Sequence, residues 1–263
     1  MEHHRYIQTR QDGGIQTITL NRPEKRNALD EEVIRELTEA LEAAAVCRCG
    51  VVILTGAGSA FCAGLDLEHL EAMTAKTPEE HRRDSERVAK VLRTLYDFPK
   101  PTIAAVNGAA IAGGMGIATV CDFTLSVPEA KFGYTEVRIG FIPAIVSSFL
   151  KRQVGEKRTR ELLISGRIMK APEAMELGLV TRIVPDQDLI REAEKLAHVL
   201  LRNSPESMIA IKRLLSQHAK ETLDREIEEA IEWNSKLRAT EDFKEGVRAF
   251  LEKRTPVWPS QCK

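Results

Sequence analysis

Short apolar runs alternate with amphipathic stretches along the first two thirds of the chain. Strand-like runs occupy residues 15–20, 51–54, 102–106, 123–127 and 180–184. Apolar residues at helical spacing lie between them, after Asp30, over 78–98, from Gly113 and over 172–177. The runs at 51–54 and 102–106 have the composition of strands that are buried on both faces. This alternation predicts an α/β fold with much parallel strand pairing.

The last quarter of the chain changes character and is predicted to be helical throughout. Helical patterns fill residues 187–201, 205–220, 222–237 and 240–253. The third of these helices places Ile227, Ala230, Ile231 and Asn234 on one stripe. A helical appendage that cannot bury all its apolar stripes on itself often packs on a neighbouring subunit. We therefore expect this region to form an interface between copies of the chain.

Composition and charge narrow the class of protein. The 263 residues include 38 Lys and Arg and 39 Asp and Glu, so the net charge is −1, which argues against a nucleic-acid partner. The odd number of cysteines, five, and a polar N-terminus predict reduced thiols and a cytoplasmic location. The uncharged stretch 102–121 is mostly Ala and Gly and contains Asn107. We therefore expect no membrane span.

Several common cofactor and metal motifs are missing from the sequence. The pair Gly56 and Gly58 is followed by Phe61 where a dinucleotide fingerprint needs a third glycine. The six histidines show no metal-ligand spacing, and Cys47-x-Cys49 has no second pair. We therefore expect no bound metal and no separate cofactor.

Two glycine-bearing junctions between a strand and a helix are the most informative local features. The first runs through residues 56–67 and the second through residues 107–116. Small side chains let a ligand approach the free N–H groups at a helix start, which also carry the positive end of the helix dipole. If the two junctions converge, their main-chain donors form an oxyanion hole. Taken singly, each junction is more typical of tight packing than of a binding site.

The same segments resemble the crotonase superfamily, the enoyl-CoA hydratase/isomerase family. The matching motifs are Asn21-Arg22-Pro23-x-x-x-Asn27-Ala28-Leu29, Ala60-Phe61-Cys62-Ala63-Gly64-x-Asp66-Leu67, Val106-Asn107-Gly108-x-x-x-x-Gly113-Gly114, Cys121-Asp122 and Phe132-Gly133-x-x-Glu136-x-x-x-Gly140. The tail from Asp242 to Pro256 resembles the C-terminal segment of that family. The resemblance covers nearly the whole chain, in the right order.

The resemblance implies a fold, a ligand and an assembly. The fold is a spiral of ββα units over residues 1–200, which holds the acyl-CoA site. Residues 201–263 form a helical region that builds trimers, which often pair into hexamers. The ligand is an acyl-CoA thioester, so coenzyme A enters as part of the substrate.

The resemblance also assigns roles to individual residues. The main-chain N–H groups of Leu65 and Gly113 hold the thioester carbonyl oxygen. The other implied substrate-binding residues are Ala63, Gly64, Asp66 and Leu67 along the adenine and pantetheine path, Gly114 beside Gly113, Lys25 and Arg26 at the phosphates, and Tyr134 and Phe141 around the acyl group.

Glu136 matches the family's catalytic carboxylate and lies in an apolar stretch bounded by Gly133 and Gly140. Apolar surroundings raise the pKa of a carboxyl group, which suits it to giving and taking protons. Without this context, an isolated glutamate in a loop is usually a solvated charge or the partner of a cation such as Arg138. We expect Glu136 to be the acid and base of the reaction.

Gly116 departs from the family pattern, because typical hydratases carry a second glutamate at this position. A glycine cannot transfer protons, so hydration by two carboxylates that share one water is in doubt. A single carboxylate fits double-bond isomerisation, or hydration in which Glu136 handles both protons. The alternative from another class is a catalytically weak acyl-CoA-binding or assembly protein.

Overall fold

The computed structural model describes residues 4–261. The strands in this part of the chain are β1 (Ile7–Asp12), β2 (Ile15–Leu20), β3 (Val51–Gly56), β4 (Ala60–Cys62), β5 (Thr102–Val106), β6 (Ala109–Ile111), β7 (Phe123–Ser126), β8 (Lys131–Gly133), β9 (Ile168–Lys170) and β10 (Arg182–Ile183). The helices are α1 (Glu31–Val46), α2 (Leu67–Met73), α3 (Pro78–Tyr96), α4 (Gly113–Val120), α5 (Ala144–Ser165), α6 (Ala171–Glu176), α7 (Leu189–Leu200), α8 (Pro205–Arg238) and α9 (Glu241–Leu251). Short 3₁₀ turns lie at Pro23–Lys25, Glu136–Ile139, Asp186–Asp188 and Pro259–Gln261.

The strands form two sheets, and from β3 to β8 consecutive strands alternate between them. One sheet has the order β1-β2-β3-β5-β7-β10 and the other has the order β4-β6-β8-β9. The pairs β3–β4, β5–β6 and β7–β8 each place one strand in each sheet before the chain continues into helices. Repetition of this ββα step winds the chain into a spiral. The α/β fold that the sequence predicts is thereby confirmed.

Parallel pairing at the centre of the larger sheet explains the uninterrupted apolar runs. β3 pairs in parallel with β2 on one side and β5 on the other, with Ile53 opposite Ile103. Every residue of β3 and β5 is buried. Because helices or strands cover both faces, these strands are largely apolar, and the hydroxyls of their threonines, Thr55 and Thr102, are hydrogen-bonded.

Helix starts follow the capping residues that the sequence offers. The Asp30 carboxylate accepts a hydrogen bond of 2.9 Å from the Val33 N–H at the start of α1, as expected. Thr77 begins α3 with a capping box, in which its hydroxyl and the Glu80 carboxylate each accept a backbone N–H. These caps fix where two helices that support the site begin.

The C-terminal helices differ in one respect from the prediction. The expected helices at 205–220 and 222–237 are a single helix, α8, because residues 206–238 contain neither proline nor glycine. The predicted stripe with Ile227, Ala230 and Ile231 is buried against the core of the same chain. Ion pairs from Arg93 to Asp224 and from Arg152 to Glu226 hold α8 on α3 and α5.

Several other elements escape the sequence patterns. The three-residue strands β4, β6, β8 and β9 are too short to show a period. Strand β10 is shorter than the expected 180–184, because the Val180 N–H turns back to the Ala174 carbonyl. The stretch 102–121 consists of β5, β6 and α4. Between residues 4 and 261, no helix combines the length and hydropathy needed to cross a bilayer.

Candidate active site

A cavity of about 1070 Å³ brings together segments that are far apart in the sequence. Its wall includes Lys25 and Arg26, the chain before α2, two residues of α3, the start of α4, residues 135–146 and part of α8. Both glycine-bearing junctions therefore reach the same cavity. The volume lies just above the usual range for small-molecule sites, about 300–1,000 Å³.

Leu29 holds the first junction in place and fixes the direction of the Leu65 N–H. The Leu29 N–H donates to the Gly64 carbonyl at 2.7 Å, and the Leu29 carbonyl accepts the Asp66 N–H at 2.9 Å. In this parallel bridge, the intervening Leu65 turns its own N–H away from Leu29. Within residues 4–261, no hydrogen-bond acceptor is found for that N–H. Leu65 lines the cavity, so this donor is available to a ligand.

The second junction presents the start of α4 to the same space. Ala112 precedes this helix with φ 50° and ψ −119°, and no side chain caps it. A non-glycine residue in this conformation is strained, and such strain is typical of functional sites. The N–H of Gly113 is among those that a helix start leaves without an internal partner, and Gly113 lines the cavity.

Contacts between Gly64, Gly114 and their neighbours bring the two junctions against each other. A Cβ on Gly64 would lie 3.1 Å from the Ile111 carbonyl oxygen and from the Ala112 Cβ. A Cβ on Gly114 would lie 2.3 Å from the Cys62 carbonyl oxygen. Neither Gly64 nor Gly114 is among the described residues that line the cavity. Gly64 and Gly114 contribute close packing between the two junctions, which is the alternative that the sequence also allowed.

Glu136 is a buried carboxylate in the cavity wall. It begins a 3₁₀ turn that ends at Gly140 in the left-handed conformation, with φ 68°. Burial raises the pKa of Glu136 to about 7, although its own backbone N–H has the opposite effect. The Oε2 atom is buried with no hydrogen-bonding partner among the described residues. A carboxyl group in this state can take or give a proton near neutral pH.

The surroundings of Gly116 are apolar. A Cβ on Gly116 would meet Leu92 and Val146 side-chain carbons at 3.6 Å, which is ordinary van der Waals contact. The described acids that line the cavity are Glu24, Asp66, Glu68 and Glu136. Glu24 and Glu68 are exposed, and Asp66 pairs with cations. Glu136 is therefore the acid with a buried, unpaired carboxylate in this wall.

Lys25 and Arg26 line the cavity, and Asp66 has a structural role beside them. The Asp66 carboxylate lies 3.0 Å from Arg22 and 3.2 Å from Lys25, and it caps α2. Lys25 also pairs with Glu68 at 2.7 Å. Ala63 lines the cavity beside this ion-pair network, and Leu67 is the first residue of α2.

Tyr134 and Phe141 occupy different positions. Phe141 lines the cavity and packs against Phe243, with ring centroids 5.7 Å apart. Tyr134 is fully buried, and its hydroxyl lies 2.6 Å from the Thr119 hydroxyl. It is not among the described residues that line the cavity. Tyr134 thus belongs to the main hydrophobic core, whereas Phe141 belongs to a separate cluster with Phe243.

The C-terminal region contributes wall residues that the sequence patterns did not identify as site residues. These are Asn234 and Arg238 of α8, Phe250 of α9 and Lys253. The one sequence signal was Asn234, a polar residue on an otherwise apolar stripe. The fold brings these residues to the cavity because α8 packs on α3 and α5, and α9 packs on the turn that contains Glu136.

Comparison with known proteins identifies the family. Residues 10–261 match the family model described as enoyl-CoA hydratase/isomerase. The chain belongs to the enoyl-CoA hydratase/isomerase family. Its members act on coenzyme A thioesters and are lyases or isomerases, which confirms the resemblance and the enzyme class that the sequence indicates.

Relatives and solved structures of this family match almost the entire chain. A Thermus thermophilus protein provisionally named enoyl-CoA hydratase is 44% identical, over 93% of this chain and 97% of that protein. The 2,3-dehydroadipyl-CoA hydratase of Escherichia coli is 36% identical, over 91% and 92%. The crystal structure of an enoyl-CoA hydratase/isomerase from Xanthobacter autotrophicus Py2 matches with a TM-score of 0.88 and 30% identity, over 96% and 98%.

Proposed function

We propose that the protein catalyses proton transfer next to the carbonyl of an unsaturated acyl-CoA thioester. The observation that carries this proposal is the buried Glu136 carboxylate, unpaired within the described chain, in a cavity that Leu65 and Gly113 also line. The N–H groups of Leu65 and Gly113 hold the thioester oxygen, and Glu136 moves the proton. A main-chain donor of this kind stabilises a developing oxyanion by about 2.7–4 kcal/mol.

The rest of the cavity accommodates the thioester around this centre. In this proposal Lys25 and Arg26 bind the coenzyme A phosphates, and residues 63–67 follow the adenine and pantetheine path. Lys25, Arg26, Ala63, Leu65 and Asp66 line the cavity, which supports this arrangement. Phe141 forms part of the wall around the acyl chain.

The chemistry follows from one base and two oxyanion donors. The Glu136 carboxylate removes a proton from the carbon next to the carbonyl, and the electron pair of that C–H bond moves onto the thioester oxygen. The N–H groups of Leu65 and Gly113 stabilise the enolate that results. The carboxylic acid then returns the proton to the γ carbon, and the double bond shifts by one position. General acid–base catalysis of this kind contributes roughly 10²–10⁴-fold.

Gly116 makes isomerisation the reaction that the geometry supports best. Hydration by two acids needs a second carboxylate to position water, and the corresponding wall is Leu92 and Val146. The names of the relatives favour a second candidate, hydration in which Glu136 serves both proton transfers. A non-catalytic acyl-CoA-binding protein is the remaining alternative.

A panel of thioesters distinguishes these functions. Wild type and Glu136→Gln are assayed for isomerisation of a 3-enoyl-CoA and for hydration of crotonyl-CoA and 3-methylglutaconyl-CoA. We expect isomerisation to be fastest and Glu136→Gln to lower it by roughly 10²–10⁴-fold. Faster hydration that depends on Glu136 would support the second candidate. No turnover of any thioester, or unchanged turnover in the variant, would overturn the proposed mechanism.

A further inference from the structure

Two polar side chains of α8 lie buried in the cavity wall with unsatisfied atoms. Asn234 is 4% exposed and Arg238 is 3% exposed, and both line the cavity. The Asn234 Oδ1 and the Arg238 Nε are buried without hydrogen-bonding partners among the described residues. Leaving buried polar atoms unpaired is costly, so a partner is expected.

The guanidinium group of Arg238 is held in position but poorly neutralised. Its Nη1 donates a hydrogen bond of 3.3 Å to the His81 carbonyl, and it lies 3.9 Å from the Asp84 carboxylate. Its central carbon lies 4.9 Å from the centroid of the Phe141 ring. Burial lowers the pKa of Arg238 to about 10, against the opposing effect of Asp84. The cation therefore lacks a close anionic partner within the described chain.

The charged residues around Arg238 do not neutralise it either. Asp84 already pairs with Lys76 at 2.7 Å and with Arg87 at 3.1 Å. Arg87 also pairs with Glu31 at 2.8 Å. The pKa values of His69 and His81 are lowered, first of all by burial, which keeps both neutral at pH 7. This connected group thus holds three cations against two carboxylates.

We propose that the acyl chain of the substrate carries a second carboxylate, which Arg238 and Asn234 bind. This inference rests on the proposed function, since it assigns the substrate class of the same cavity. A carboxylate supplies the missing charge and accepts from the Arg238 N–H groups. The Asn234 amide turns about its last torsion to present its NH₂ group, because the two ends of an amide are nearly isosteric. Phe141 covers one face of the guanidinium and leaves its hydrogen-bonding edge to the ligand.

Pairs of enoyl-CoA thioesters test this assignment. The two members of a pair have the same chain length, and the acyl chain of one ends in a methyl group while that of the other ends in a carboxylate. Pairs of several chain lengths are assayed. For the best length, we expect wild-type kcat/KM to be at least tenfold higher with the carboxylate. Arg238→Met should lower kcat/KM for the carboxylated substrate by about 10- to 100-fold, since hydrogen bonds to a charged group are lost. The loss with the methyl substrate should be clearly smaller, so that the ratio of the two kcat/KM values falls.

Two further variants separate binding from folding. Arg87→Met removes a cation from the same group, but Arg87 does not line the large cavity, so the preference should fall less than in Arg238→Met. Arg238→Lys keeps the charge and should restore part of the preference. A wild-type preference for the methyl substrate, or an equal loss for both substrates in Arg238→Met, would overturn the inference.

Calorimetry with saturated acyl-CoA pairs keeps this test independent of turnover. If wild type turns over neither thioester, the proposed function fails, while the inference still predicts tighter binding of the carboxylated compound. Equal affinities for the two saturated compounds at every length would refute the inference alone. Thermal unfolding of each variant shows whether a loss arises from misfolding.

Discussion

Gly64 and Ala112 lie in contact, with the Cβ position of Gly64 3.1 Å from the Ala112 Cβ. Each residue directly precedes one of the two proposed oxyanion donors, Leu65 and Gly113. Both have positive φ angles, 94° for Gly64 and 50° for Ala112. This contact therefore sets the spacing of two N–H groups that come from different turns of the spiral.

Gly64→Ala should separate the two donors and reduce catalysis more than stability. A new Cβ would press on the Ile111 carbonyl and on Ala112. If one donor is misplaced, kcat/KM falls by roughly 10²–10³-fold. Steady-state kinetics and thermal unfolding measure the two effects. Gly178→Ala is the matched control, because Gly178 also has a positive φ, 81°, but a Cβ there meets nothing within 4 Å. Equal kinetic effects in both variants would contradict the spacing argument.

The pH dependence of kcat/KM should report the buried carboxyl group. The free enzyme needs ionised Glu136 as its base, and burial raises the pKa of this residue to about 7. Activity should therefore increase about tenfold per pH unit below pH 7 and level off above it. In Glu136→Gln, the residual activity should lose this limb. A profile that is flat between pH 5 and pH 8 would count against Glu136 as the base.

Gly116→Glu should shift the reaction toward hydration. The Cβ fits between Leu92 and Val146 at 3.6 Å, and the longer side chain enters the cavity beside Glu136. A second carboxylate can hold the attacking water, so hydration of crotonyl-CoA should rise by about tenfold or more relative to isomerisation. Gly116→Ala adds only the Cβ and should keep the wild-type ratio. If Gly116→Glu folds and leaves the ratio unchanged, the missing acid does not determine the reaction.

The helical C-terminal region should make the protein a trimer or hexamer. Ile211, Leu214 and Leu215 are more than half exposed on one face of α8, which suits a contact with another subunit. Size-exclusion chromatography with light scattering should give three or six times the chain mass of 29.4 kDa. Leu215→Asp should reduce that mass, whereas Gln217→Asp, at another exposed position of α8, should not. A monomer at micromolar concentration would contradict the expectation.

The sequence predicted those parts of the site that depend on local chemistry. Glycines mark the close contacts at Gly64 and Gly114, and an apolar stretch marks the buried Glu136. Tyr134 was expected in the acyl wall, but its hydroxyl binds Thr119. Side-chain packing determines this position, and the sequence pattern does not show it. Arg238 could not be foreseen as a wall residue, because only the packing of α8 on the core brings it there.

The same difference between local patterns and tertiary contacts explains where the prediction of the fold was wrong. Residues 144–165 form α5, yet Gly155 has φ 77° and kinks it, so its apolar residues follow no single helical period. The break expected between residues 220 and 222 lacks any helix-breaking residue, and α8 continues through it. The presence of single helices and strands was thus predictable, whereas the points at which they kink, break or continue depended on tertiary contacts.

Isotope transfer tests the central claim most directly. A 3-enoyl-CoA labelled with deuterium at the carbon next to the carbonyl is isomerised in ordinary water, and the product is analysed by NMR. If the Glu136 carboxylate alone carries the hydrogen in a buried site, part of the deuterium should appear at the γ carbon, and Glu136→Gln should abolish the transfer. Rapid product formation with no deuterium at that carbon, or undiminished transfer in the variant, would contradict the account.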